Sequence, residues 1–149
     1  FAQLDVAGFA IPDMGGIIHQ TVGGFLSTGS AGGSTMYSFL ESLTSITFFP
    51  ADTDDPQPKI VGASEEPDLF YAIGVSMGIL GIIVSATFSL VPKFNITGTE
   101  SITSIDYCPI DMSGTGKTGK LSLRQFLTTT EYCRLLRYPQ PLVSRVTVW

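Results

Sequence analysis

Apolar and polar residues change their spacing several times along this chain, and each change predicts an element. Met36, Phe39, Leu40 and Leu43 fall at i, i+3, i+4 and i+7 behind Ser34 and Thr35, either of which can cap, so a short helix is expected to start near Thr35. From Thr44 the period drops to two: Ile46 and Phe48 alternate with Ser45 and Thr47. An acidic turn over residues 51–58 follows, and then Lys59-Ile60-Val61, the pattern of a hairpin with a long polar connection. Pro67, with Glu65, Glu66 and Asp68 around the positive end of a helix dipole, introduces Leu69, Phe70, Ile73 and Met77 at helical spacing. A second helix is therefore expected from about Pro67 to about Met77. Residues 84–90 alternate apolar with polar until Pro92, which predicts a strand with one buried face. Ser122 and Gln125 form a capping box ahead of Leu123, Phe126, Leu127, Thr130 and Leu135, so a third helix should end before Pro139. Residues 102–107 and 145–149 read as strands. The mixture predicts an α+β fold with a boundary close to Pro92, giving domains over 1–92 and 93–149.

Between Pro12 and Ser34 the pattern gives way to seven glycines among Ser and Thr. That density suits backbone that must turn tightly or approach a ligand, and it reads as loop with short extended pieces. Composition changes the picture little: 44% hydrophobic and 14% charged residues fit a folded domain and exclude a disordered segment. The eight Lys and Arg residues are scattered and the net charge is −5, which disfavours nucleic acid as a partner. Cys108 and Cys133 lack the spacing of a zinc site and leave a single disulfide open. Asn95-Ile96-Thr97 is a glycosylation sequon that matters if the protein enters the secretory pathway. Neither a start methionine nor a signal peptide is visible, both ends read as breaks, and localisation is not legible.

Several motifs invite function and are better read otherwise. The 24 residues between Asp68 and Lys93 carry no charge and could cross a membrane. However, Gly78 and Gly81 would weaken a helix at its middle, and the period-two stretch 84–90 belongs to a strand. Helix, tight turn and strand is the preferred reading; a span at 70–92 in a membrane-anchored or structural domain is the alternative. Residues 113–120 resemble a phosphate loop, but Asp111 stands where one register needs glycine and Leu121 where the other needs Ser or Thr. A lysine-bearing surface loop is expected, with a nucleotide-triphosphate site over 114–120 as the lesser alternative. Asp52, Asp54 and Asp55 suit a solvated hairpin tip rather than a calcium site. His19 is the sole histidine, so no metal site and no Ser-His-Asp triad is expected within the chain.

The run from Thr21 to Ser34, Thr-Val-Gly-Gly-Phe-Leu-Ser-Thr-Gly-Ser-Ala-Gly-Gly-Ser, resembles a central motif of the vanillyl-alcohol oxidase superfamily, whose FAD-binding domain is called PCMH-type. So does Pro67-Asp68-Leu69-Phe70-Tyr71-Ala72 followed by Gly81-Ile82-Ile83 and a strand ending at Pro92. The likeness covers residues 12–92. A looser one to the sugar-1,4-lactone and alditol oxidases runs through Glu131-Tyr132 and Tyr138-Pro139-Gln140.

The resemblance implies the C-terminal half of a PCMH-type FAD-binding domain followed by the start of a substrate domain. It implies FAD as cofactor, hydride transfer from a CH–OH group of a sugar lactone or polyol, and molecular oxygen as acceptor. Thr21, Gly24, Ser27, Thr28, Gly29 and Ser30 would contact the diphosphate or flavin, and Gly81, Ile82 and Ile83 another part of the cofactor. Backbone amides near 21–30 are expected to form a neutral cradle for the diphosphate. Many relatives carry His where this chain has Ala31. The family's N-terminal flavin loop would lie upstream of Phe1, and catalytic residues beyond Trp149 remain unknown.

Overall fold

The structure is a computed structural model that describes all residues except 18, 55–56, 114–118 and 141–142. Helices and sheets are mixed, an α+β fold, and the chain divides into two compact units: residues 1–32 with 37–94, and residues 33–36 with 95–149.

In the first unit, α1 (Ala2–Ala7) leads into β1 (Phe9–Ala10), which pairs antiparallel with β5 (Val91–Pro92). Its centre is a three-stranded antiparallel sheet in which β2 (Leu43–Pro50) lies between β3 (Lys59–Gly62) and β4 (Gly81–Phe88). The hairpin β2–β3 is the one expected from the period-two pattern; its tip includes Asp55, which lies outside the described residues. Helix α3 (Pro67–Gly74) starts on Pro67 as expected and buries Phe70 and Ile73 completely. They join Phe25, Leu26, Phe39, Leu43, Ile46, Phe48 and Val61 in one apolar core. The helix stops at Gly74 rather than near Met77, whose backbone has turned left-handed at φ 52°.

Residues 70–92 thus form helix, turn and strand, and no helix among the described residues is long and apolar enough to cross a membrane. β4 keeps the expected alternation at Ala86 and Phe88 but departs from it at Val84. Thr47 pairs with Ser85 and Phe48 with Ile83, so Val84 is an extra residue that bulges out of the ladder. A bulge switches faces: Ile83, Ala86 and Phe88 pack against the core while Ile82 and Val84 are 72% and 54% exposed.

The helix expected near Thr35 reduces to a 3₁₀ turn over Leu40–Ser42. Its first turn is lost because Gly33–Met36 belongs to the second unit, where Gly33 C=O accepts from Cys133 N–H at 2.7 Å and Thr35 Oγ1 donates to Leu127 C=O at 3.0 Å. A helix forms instead where a loop was expected: α2 (Val22–Ser27) is capped by Thr21, whose Oγ1 accepts from Gly24 N–H at 3.1 Å. Burial of Phe25 and Leu26 outweighs the poor helix propensity of Gly23 and Gly24.

In the second unit, β10 (Arg145–Val148) lies between β6 (Ser101–Ser104) and β9 (Leu135–Tyr138), all antiparallel. Cys108, Ile110 and Val146 form a small buried cluster with Leu123, Phe126 and Leu135 against it. A short parallel pair, β7 (Ile110–Asp111) and β8 (Leu121–Ser122), precedes α4 (Leu123–Thr129). The expected capping box is present: Ser122 Oγ accepts from Gln125 N–H at 3.1 Å and Gln125 Oε1 from Ser122 N–H at 3.0 Å. The helix ends at Thr129 rather than running past Leu135. Thr128 and Thr129 bond back to carbonyls one turn earlier, a habit that weakens helices, and Leu135 is taken into a strand by β10. Cys108 and Cys133 are free thiols.

Candidate functional site

In the first unit the glycine-rich run is tied to the turn that precedes the Gly81 motif. Met77 N–H donates to Ser27 C=O at 2.9 Å, and a Cβ on Gly29 would touch Val75 at 3.1 Å, so the end of α2 lies on the turn that leads into β4. Gly29 itself takes φ 60°, the left-handed conformation that lets the chain leave the helix there. Thr21, Gly24, Thr28 and Gly29 are exposed, Ser27 and Ser30 half-buried. Gly81 is buried at φ 148°, and a Cβ there would lie 2.2 Å from Phe49 C=O; only glycine allows β4 to begin so close to β2. Ile82 is exposed and Ile83 half-buried. Among the described residues β4 is an edge strand, with no ladder partner on its outer side.

The expected cradle of free amides is not what the run forms. Gly24 N–H donates to Thr21 Oγ1, Phe25 N–H to Thr21 C=O, Thr28 N–H to Gly24 C=O, Gly29 N–H to Leu26 C=O and Ser30 N–H to Phe25 C=O. Helix formation has consumed these five donors. Hydroxyls are chained too: Thr28 Oγ1 donates to Gly24 C=O at 2.9 Å and lies 3.0 Å from Ser30 Oγ, which accepts from Gln20 Nε2 at 3.3 Å. Those five amides are not free to hold a diphosphate, and the run presents a small-residue surface.

Two hollows flank these residues. One of about 60 Å³, among Ile11, Met14, Thr21, Val22 and Phe25, holds no more than a few atoms. The other, about 310 Å³, lies between the base of the hairpin and the turn before Gly81, lined by Phe48, Asp52, Lys59, Leu69, Ile79 and Leu80. Its size reaches the lower end of small-molecule sites, roughly 300–1,000 Å³.

A residue that sequence reasoning missed is Asp13. It is 2% exposed; Oδ2 accepts from Gly32 N–H at 3.1 Å, while Oδ1 has no partner among the described residues. Burial pushes its carboxyl above the ordinary range, and the Gly32 hydrogen bond opposes that in part. Gly32 has no room for a side chain, since a Cβ would fall 1.9 Å from Asp13 Oδ1. Nothing in Pro12-Asp13-Met14-Gly15 distinguishes this buried carboxylate from an ordinary turn residue.

The remaining candidates are bland. Residues 114–118 of the phosphate-loop likeness lie outside the described residues, but Lys120 Nζ donates to Ile105 C=O at 3.0 Å and Asp106 C=O at 2.9 Å, which fixes it as a turn clamp. Among the described residues no group of acidic, His or Cys side chains could hold a metal.

No protein-family model matches the chain. Curated proteins do: it is 35% identical over 104 residues to D-arabinono-1,4-lactone oxidase of Saccharomyces cerevisiae, covering 69% of this chain and 19% of that protein. Similarity to D-arabinono-1,4-lactone oxidase of Eremothecium gossypii is 34% over 104 residues, again 69% and 19%. Mouse L-gulonolactone oxidase is 28% identical over 138 residues, 92% of this chain and 28% of the mouse protein. The chain spans about a fifth of the length of the first two relatives. By name these relatives are lactone oxidases, a class of oxidoreductase. More narrowly, the chain belongs to the sugar-1,4-lactone oxidase family.

Proposed function

We propose that this chain supplies one wall of the FAD site in a flavin-dependent oxidase acting on CH–OH groups of a sugar lactone or polyol, with molecular oxygen as acceptor. The observation that carries the reading is the Ser27–Met77 hydrogen bond, which ties the glycine-rich run to the turn leading into Gly81, in a chain whose relatives are lactone oxidases. When bound, the flavin accepts the hydride; the protein's part is to bind, orient and exclude water. In this reading residues 1–92 are the C-terminal half of a PCMH-type domain and 93–149 the start of the substrate domain. Thr21, Gly24, Ser27, Thr28, Gly29 and Ser30 pack against the cofactor as surface, and Gly81, Ile82 and Ile83 meet a second part of it from the open side of β4. The hollow lined by Leu80 ends one residue before Gly81, on the hairpin side of the sheet, and is large enough for a ring.

The test is to purify the intact protein, record its flavin content, and follow oxygen consumption with a panel of sugar lactones and polyols. Bound flavin with lactone-dependent oxygen uptake is expected. Absence of flavin, or uptake with none of the panel, defeats the proposal. Residues 1–149 alone should bind FAD weakly or not at all, and tight stoichiometric binding by them would contradict the shared-site reading.

A further inference from the structure

The sequon Asn95-Ile96-Thr97 is absorbed by neither core nor the cofactor surface, and the structure gives it an unusual setting. It lies where the two compact units divide, between Phe94 and Asn95, in a stretch without helix or strand that runs from Lys93 to Glu100. Every residue of that stretch is exposed. Neither Asn95 nor Thr97 has a side-chain hydrogen bond to any described residue. One position on, a Cβ added to Gly98 would meet nothing within 4 Å. Phe94 and Ile96, 40% and 61% exposed, leave apolar area uncovered on either side of Asn95.

We propose that Asn95 is an N-glycan acceptor. Transfer to a sequon needs an extended, unpaired acceptor whose hydroxyl two residues on can approach the amide, and no proline between them. Residues 95–97 meet each requirement: the segment is irregular, Ile96 occupies the middle position, and Thr97 supplies the hydroxyl. The co-reactant is a lipid-pyrophosphate-linked oligosaccharide. Asn95 Nδ2 forms a bond to its anomeric carbon, the carbon–oxygen bond to the pyrophosphate breaks, the lipid pyrophosphate leaves with the electron pair, and Nδ2 loses one proton. No core contact is disturbed, because the Asn95 amide has no partner among the described residues to give up. The glycan would shade Phe94 and Ile96 from solvent.

The experiment places the intact protein behind a secretion leader in a eukaryotic host, with a reporter sequon in a C-terminal tag to register lumenal entry. Peptide mass spectrometry after glycosidase treatment reads the conversion of Asn95 to Asp. The expected result is occupancy at both Asn95 and the tag, with Asn95 occupancy lost in Asn95→Gln, Thr97→Ala and Ile96→Pro while the tag stays modified. A modified tag with unmodified Asn95 overturns the proposal. Because transfer accompanies translocation, the readout does not depend on the secreted protein being active.

Discussion

Replacing Asp13 with Asn should make the local stability around Gly32 less sensitive to pH. The folded carboxyl is buried and holds its proton to higher pH than the unfolded one does. Stability from this group is therefore complete below the unfolded pKa, near pH 4, and is lost as pH rises through the raised folded value. The loss has a maximum slope of about 1.4 kcal/mol per pH unit, because one proton is involved. Asparagine keeps an oxygen to accept from Gly32 N–H and never ionises. It also places an unpaired amide N–H₂ where Oδ1 now stands, at a cost of about 1–3 kcal/mol that does not vary with pH. At acid pH the variant should be the weaker, and its disadvantage should shrink as pH rises. Hydrogen exchange at the Gly32 amide reads this locally in the intact protein. The ratio of protection, variant over wild type, should climb with pH above about 4, by at most about tenfold per unit. A ratio independent of pH would refute the buried-carboxyl argument.

Other substitutions test other parts of the account. Gly81→Ala forces a Cβ to within 2.2 Å of Phe49 C=O, and with the φ it must adopt should cost about 3 kcal/mol or more, seen as a lowered denaturation midpoint. Phe70→Ala empties a fully buried site in the first unit and should cost about 3–5 kcal/mol in the same assay. Thr21→Ala removes the cap of α2 at about 1 kcal/mol, with faster exchange at Gly24 N–H as its local sign. Lys120→Ala should loosen the turn at Ile105 and Asp106 and leave magnesium-ATP binding undetectable, as in the wild type; ATP binding that Lys120→Ala abolishes would revive the phosphate-loop alternative.

Elements with a strong period and a clear punctuation mark were legible in the sequence: the β2–β3 hairpin, the start of α3 at Pro67, and the capping box of Ser122 and Gln125. What escaped was decided by distant partners. The expected helix at Thr35 fails because its first residues pair with Cys133 and Leu127, far along the chain. The glycine-rich run becomes helical because two adjacent residues, Phe25 and Leu26, reach a core that local composition does not reveal. In β4 alternation placed Ala86 and Phe88 on the core correctly, and a one-residue bulge, set by pairing with β2, turned Val84 alone outward. For the site, sequence resemblance located the two segments that meet. It did not foresee that helix formation would spend the amides, or that Asp13 would be buried under Gly32.

The central claim, that a cofactor lies against the surface shared by the two motifs, is tested most directly by adding bulk where no protein atom is displaced. Thr28 and Ile82 are exposed, so Ile82→Trp displaces nothing, and Thr28→Phe gives up only the exposed hydroxyl bonds to Gly24 C=O and Ser30 Oγ; both should leave the fold intact. In flavin-fluorescence titrations of the intact protein, each is predicted to weaken FAD binding by about tenfold or more, equivalent to about 1.4 kcal/mol, with stability of the apoprotein unchanged in Ile82→Trp and lowered by about 1 kcal/mol at most in Thr28→Phe. Wild-type affinity in both variants would place the cofactor elsewhere and contradict the account.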